Sequence, residues 1–186
     1  MFGFFNNKVF DKGYLPEFEG HEIYYQQMGN PKGEPVLFFH GGPGGSCKDS
    51  HGNYFNLKKQ RVIMFDQRGC GRSKTEDIIS LNDTKRLVKD ANRLLEYLNI
   101  CEPVTVAGGS WGSTLALLFA EKYPERIARI CLYAVFLARR EDMEWTAACF
   151  IPSCWKKSAA RAKGKIPIPT MPNSCFRKTS ALFKLP

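Results

Sequence analysis

Apolar residues in this chain come in short runs divided by turn-formers, and the runs carry two different periods. HEIYYQQM (residues 21–28) alternates and is rich in aromatic side chains, which predicts an edge or half-buried strand. PVLFFH (35–40) and RVIMFD (61–66) are almost wholly apolar and run into Gly-rich turns, the pattern of strands covered on both faces of a parallel sheet. Over 87–98 the period changes. Leu87, Val88, Ala91, Leu94, Leu95 and Leu98 recur at steps of three and four, predicting an amphipathic helix laid on a sheet, and Ser80 with Asp83 resembles a capping box near its start. PVTVAGG (103–109) predicts another buried strand, GSTLALLFAEKY (112–123) a helix that Pro124 stops, and IARICLYAVF (127–136) a further strand. Strands alternating with helices predict an α/β fold built on a mostly parallel sheet, with its functional loops at the carboxyl ends of the strands.

Past Trp145 no period is sustained. Residues 146–186 hold five prolines, three of the seven cysteines, eight Lys or Arg and no acidic residue. Such a segment buries too little apolar surface to offset its ordering entropy, and it is expected to be a poorly ordered tail behind a core at 1–145. It also accounts for the formal charge of +9, because the first 145 residues are nearly neutral. The charge therefore does not mark a nucleic-acid or membrane surface, and neither partner is expected. The cysteines form no C-x-x-C pair, the N-terminus lacks a basic start followed by an apolar run, and no stretch approaches the ~20 apolar residues that span a bilayer. A cytoplasmic protein with free thiols is expected.

GGSWG (108–112) fits G-x-S-x-G, the nucleophile elbow, in which a sharp strand-to-helix turn lifts a serine hydroxyl clear of the sheet. A buried strand runs into it and an apolar helix leaves it, the context in which the motif has chemical meaning. Attack of Ser110 on a carbonyl creates an oxyanion, which needs main-chain N–H donors already in place. Trp111, directly after the serine, supplies one candidate. The second is Gly42, in HGGPGG (40–45), since a residue without a side chain lets the backbone approach a substrate closely. Nucleotide binding is not expected: GGPGGSCK lacks the Gly-Lys-Ser/Thr ending of a phosphate loop, and Lys74 stands where G-x-G-x-x-G would place its last glycine. No metal or organic cofactor is implied.

HGGPGG, then DQRGCGRS (66–73), then GGSWGSTLALLFAEKYPERI with LARRED (137–142) together resemble the proline iminopeptidases, serine aminopeptidases of the α/β-hydrolase fold that release N-terminal proline from peptides. The likeness spans roughly 15–145. It implies Ser110 as nucleophile, Gly42 and Trp111 as the oxyanion hole, a peptide with N-terminal proline as substrate, and DQRGCGRS as a structural loop in which Asp66 and Arg68 serve a turn and an ion pair.

The resemblance also implies a triad in the order Ser, Asp or Glu, His, with a helical cap and further strands after LARRED. The chain is expected to hold only the N-terminal part of the sheet, without the cap and last strands. No histidine follows Ser110. The acids that do are Glu121, Glu125, Glu141, Asp142 and Glu144, and the three histidines all precede it. His40 is expected to hold the oxyanion loop by hydrogen bonds, His51 is a weaker candidate base, and His21 reads as exposed or satisfied. The change of composition at Thr146 reads as a shift of reading frame. Two other readings stand beside the peptidase: another serine hydrolase such as an esterase, and a catalytically silent remnant or binding module. A sheet that stopped at 127–136 would leave an unpaired apolar edge, which predicts poor solubility.

Overall fold

A computed structural model describes residues 9–142; the segment expected to be a tail lies outside the described residues. The chain divides into two units, residues 1–135 and 136–186. Among the described residues the order is β1 (Val9–Tyr14), β2 (His21–Glu22), β3 (Tyr24–Gly29), β4 (Glu34–Phe39), a 3-10 turn (Asp49–Tyr54), β5 (Gln60–Phe65), β6 (Lys74–Thr75), α1 (Thr84–Tyr97), β7 (Val104–Ser110), α2 (Trp111–Lys122), a second 3-10 turn (Pro124–Arg126) and β8 (Ile127–Val135). Six strands form one sheet in the order β1-β3-β5-β4-β7-β8, and β2 pairs with β6 separately. The strands β5, β4, β7 and β8 run parallel, while β3 and β1 add on antiparallel. This is the mostly parallel α/β sheet the apolar runs predict.

Strand β4 explains why those runs have no alternation. Val36 and Phe38 point to one face, into a cluster with Met28, Cys47, Val62, Met64 and Ala107. Leu37 and Phe39 point to the other, where the Phe39 ring meets Phe65 at 5.5 Å and Phe119 of α2 at 5.8 Å. All four are fully buried, so a polar residue would be misplaced on either face. Helix α2 is buried along most of its length, and its sequence is correspondingly apolar all round.

Three expectations need correction. The strand expected at 21–28 is neither at an edge nor half-buried: it begins at Tyr24, lies between β1 and β5, and is buried from Tyr24 to Met28. Its edge position is taken by β1, whose sequence VFDKGY mixes charge and glycine with its apolar residues and gave no strand signal. Asp11 on β1 instead accepts a hydrogen bond from Gln27 Nε2 at 2.6 Å. Ser80 takes no part in capping α1; Asp83 is itself the N-cap, its carboxylate accepting from the Arg86 N–H at 3.1 Å. His21 is not exposed: it is buried, with Nε2 donating to the Ser80 carbonyl at 3.0 Å and Nδ1 without a partner.

At the far end of the sheet, β8 pairs along one side with β7, and most of its residues are exposed, Ile130, Tyr133 and Val135 among them. Among the described residues its other side has no strand.

Helix α1 carries one charged residue on its apolar face. Asp90 is buried beside Leu87, Ala91 and Leu94 because Arg68, also buried, comes to meet it with Nε at 2.6 Å and Nη2 at 3.0 Å. Arg68 Nη1 continues to Glu19 at 2.9 Å and the Leu81 carbonyl at 2.8 Å. Removing one partner of such a pair leaves a buried charge uncompensated, which costs about 3–5 kcal/mol. Arg68→Ala is therefore expected to lose about 3–5 kcal/mol of unfolding free energy in urea titration; a loss below about 1 kcal/mol, the range of exposed pairs, would contradict the assignment.

Candidate active site

Ser110 ends β7 and stands immediately before α2 with φ 54° and ψ −127°. A serine held at positive φ is strained by about 1–3 kcal/mol, and the surrounding backbone over-determines it. A Cβ at Gly108 would collide with the Gly112 carbonyl, and one at Gly112 would collide with the Phe39 carbonyl at the end of β4. The ring of Tyr133 fills the space a Cβ at Gly109 would need. Main-chain contacts thus require glycine at 108 and 112, the Tyr133 ring crowds 109, and only Ser110 within the elbow is exposed.

The loop leaving β4 passes next to this turn. A Cβ built on Gly41 would lie 3.1 Å from the Gly109 carbonyl and 3.5 Å from Ser110 Cβ, so Gly41 is the residue packed on the elbow and the Gly42 amide comes directly after it. Gly42 has φ 140°, and a side chain there would meet the amides of Gly44 and Gly45. Of the residues expected to form one site, Ser110 directly precedes Trp111, and Gly42 is reached through its neighbour Gly41, which lies against Ser110. Gly41 was missed because two adjacent glycines look alike in sequence.

His40 and Gln67 hold the loop from beneath. His40 Nδ1 lies 2.8 Å from the Gly41 carbonyl, which only accepts, so Nδ1 carries the proton. Nε2 then accepts from the Gln67 main-chain N–H at 3.1 Å. Burial lowers the pKa of His40, in keeping with this neutral form, and both ring nitrogens are committed. The Gln67 side chain donates from Nε2 to the His40 carbonyl at 2.9 Å and accepts the Trp111 indole N–H on Oε1 at 3.1 Å.

Asp66 fixes the far end of the same loop. Its carboxylate accepts the Cys47 N–H at 2.7 Å, the Arg72 N–H at 2.9 Å and Arg72 Nε at 2.8 Å, while Arg72 Nη2 donates to the Cys47 carbonyl at 2.9 Å. Burial, the largest influence, pushes the Asp66 pKa up, but the Arg72 guanidinium and the two main-chain donors together outweigh it and hold it below the usual value. The turn and ion pair expected of Asp66 and Arg68 are both present. Their partners, Arg72 and Asp90, were not foreseen; a lone aspartate on the apolar face of α1 was the one available signal.

No imidazole bonds Ser110 among the described residues. His51 accepts the Lys48 N–H on Nδ1 at 3.2 Å and stacks on Tyr54 at 5.7 Å. Glu121 and Glu125 are exposed. In the second unit, Asp142 accepts from the Leu137 and Arg139 N–H groups and pairs with the Arg139 guanidinium at 2.8 Å, which lowers its pKa. Glu144 lies outside the described residues. Among the described residues no cluster of His, Cys, Asp and Glu is placed to hold a metal ion, and no helix is long and apolar enough to cross a membrane. Cys47, Cys70, Cys101 and Cys131 are free thiols.

The family model of the alpha/beta hydrolase fold matches residues 34–148. A protein of Xylella fastidiosa strain Temecula1 named proline iminopeptidase is 41% identical over 155 residues, covering 81% of this chain and 49% of that protein. An Arabidopsis thaliana protein of the same name is 38% identical over 152 residues, covering 80% of this chain and 40% of that protein. Among solved structures, a proline iminopeptidase-related protein of Thermus thermophilus superposes with a TM-score of 0.58 at 32% identity, over 66% of this chain and 43% of that one. The chain spans about half the length or less of the curated relatives it matches.

The depressed Asp66 value has a definite sign. Its contribution to stability is fully present above the ordinary aspartate pKa of about 3.9 and is lost as pH falls through the lower folded value. Asp66→Asn is expected to be less stable than the wild type by about 1.5–3 kcal/mol at pH 7, with the gap closing as the pH falls through the lowered folded value. Urea titrations at pH 7 and through the acid range check this; a gap that is unchanged in acid would contradict it.

Proposed function

Because the chain belongs to the alpha/beta hydrolase fold family, we propose that Ser110 is the nucleophile of a serine aminopeptidase that releases N-terminal proline from peptides, with the Gly42 and Trp111 amides as oxyanion donors. The observation that supports this most is the backbone of Ser110, forced to positive φ between glycines and apposed to the loop at Gly41. The elbow and the loop specify acyl transfer rather than the acyl group, so the prolyl substrate rests on the named relatives. The protein is taken to work in the cytoplasm, on small peptides, without a cofactor.

In the proposed reaction Ser110 Oγ bonds to the prolyl carbonyl carbon, and the carbonyl electrons move onto oxygen, which the two main-chain N–H groups stabilise. Collapse of this intermediate breaks the C–N bond, the departing amine takes a proton, and water then releases proline from the serine. Preorganised donors of this kind each contribute about 10²–10³ in rate. Among the described residues no histidine is bonded to Ser110 to take the hydroxyl proton: His40 is committed through both nitrogens, His51 bonds the Lys48 N–H and His21 the Ser80 carbonyl. That favours a second reading, in which this chain by itself is nearly silent, keeping the roughly 10³–10⁴-fold over water that oxyanion stabilisation and binding supply without a triad.

A chromogenic proline p-nitroanilide assay with and without added imidazole separates the readings. Slow release alone, a rise with imidazole and loss of both in Ser110→Ala are expected. Release that survives Ser110→Ala would overturn the nucleophile. No release under any condition would leave only the silent scaffold.

A further inference from the structure

Resting on the assignment of Gly42 and Trp111 as oxyanion donors, we infer that Gln67 is a positioning residue that sets one donor against the other. The two donors come from different elements: the Gly42 amide from the loop after β4, the Trp111 amide from the first turn of α2. Beyond the main-chain contacts, one carboxamide reaches both. Gln67 Nε2 donates to the carbonyl of His40, two residues before Gly42, and Gln67 Oε1 accepts from the indole of Trp111 itself. The Gln67 main-chain N–H adds a third bond, to His40 Nε2. Gln67 and Trp111 are each 2% exposed and His40 1%, so water does not replace these bonds if they are lost.

The chemistry singles out glutamine. The site needs a donor toward a carbonyl and an acceptor toward an indole on one side chain, and an amide offers both. Leucine of similar size would strand the His40 carbonyl and the Trp111 N–H. Glutamate would still accept from the indole but would face the His40 carbonyl with a second acceptor, releasing one arm and keeping the other.

Amide hydrogen exchange on the full chain tests this together with the Trp111 indole resonance, assigned through Trp111→Phe. In Gln67→Leu, exchange is expected to rise by about tenfold, the scale of one lost hydrogen bond, both at 41–45 and at 111–113, with β3 and α1 unchanged. In Gln67→Glu only 41–45 should loosen, and the indole N–H should keep its bonded shift. Wild-type exchange at either segment in Gln67→Leu, or a uniform rise throughout the chain, would overturn the inference; should that variant not fold, Gln67→Glu decides by the same split.

The catalytic consequence is read by fluorophosphonate labelling of Ser110 in the presence of imidazole. The labelling rate should fall at least about tenfold in Gln67→Leu. An unchanged rate would overturn the positioning role. A wild type that does not label at all removes the Ser110 assignment, and the exchange pattern then decides separately whether Gln67 couples the two segments.

Discussion

The site depends on a backbone-to-backbone contact in which no side chain fits. The first turn of α2 is pressed against the end of β4 so closely that a methyl group at Gly112 would strike the Phe39 carbonyl, and Gly41 in the loop after that strand lies beside Gly109 and Ser110. The two segments to which the proposed chemistry is assigned are thereby set by main-chain contacts. The left-handed conformation of Ser110 follows from the same crowding. Parallel strands β4 and β7, hydrogen-bonded neighbours in the sheet, deliver both segments to the same edge of the molecule.

The loop after β5 braces this contact with three consecutive side chains, each reaching a different neighbour. Asp66 holds the main chain at Cys47, Gln67 joins His40 to Trp111, and Arg68 turns the other way to Asp90 on α1. A buried aspartate, a buried arginine and a buried glutamine in a row would be costly if unpaired, and each is paired here. That is the physical content of the DQRGCGRS segment.

The apolar runs of β4, β5 and β7 and the period of α1 announced themselves because each reflects one dominant environment. The elbow was legible as well, since its glycines have no other reason to stand so close together. Strand β1 was not: its place depends on pairing with β3, and VFDKGY carries no periodic signal of its own. The misplacement of β3 at an edge followed directly from that omission. The network of buried charge was hidden for a related reason, because Asp90 and Arg68 lie 22 residues apart and only the fold brings them together. His40, expected to hold the loop by hydrogen bonds, does have both ring nitrogens bonded, one of them to the loop at Gly41.

The proposed chemistry rests on an exposed serine on a strained turn, beside the loop at Gly41 that leads into Gly42. A crystal structure with a prolyl boronic acid bound tests that most directly, because boron adds to the serine oxygen without a leaving group. The account predicts boron on Ser110 Oγ, with one of its oxygens about 2.7–3.1 Å from both the Gly42 and Trp111 nitrogens. Boron attached elsewhere, or that oxygen turned to solvent with neither amide in reach, would contradict it.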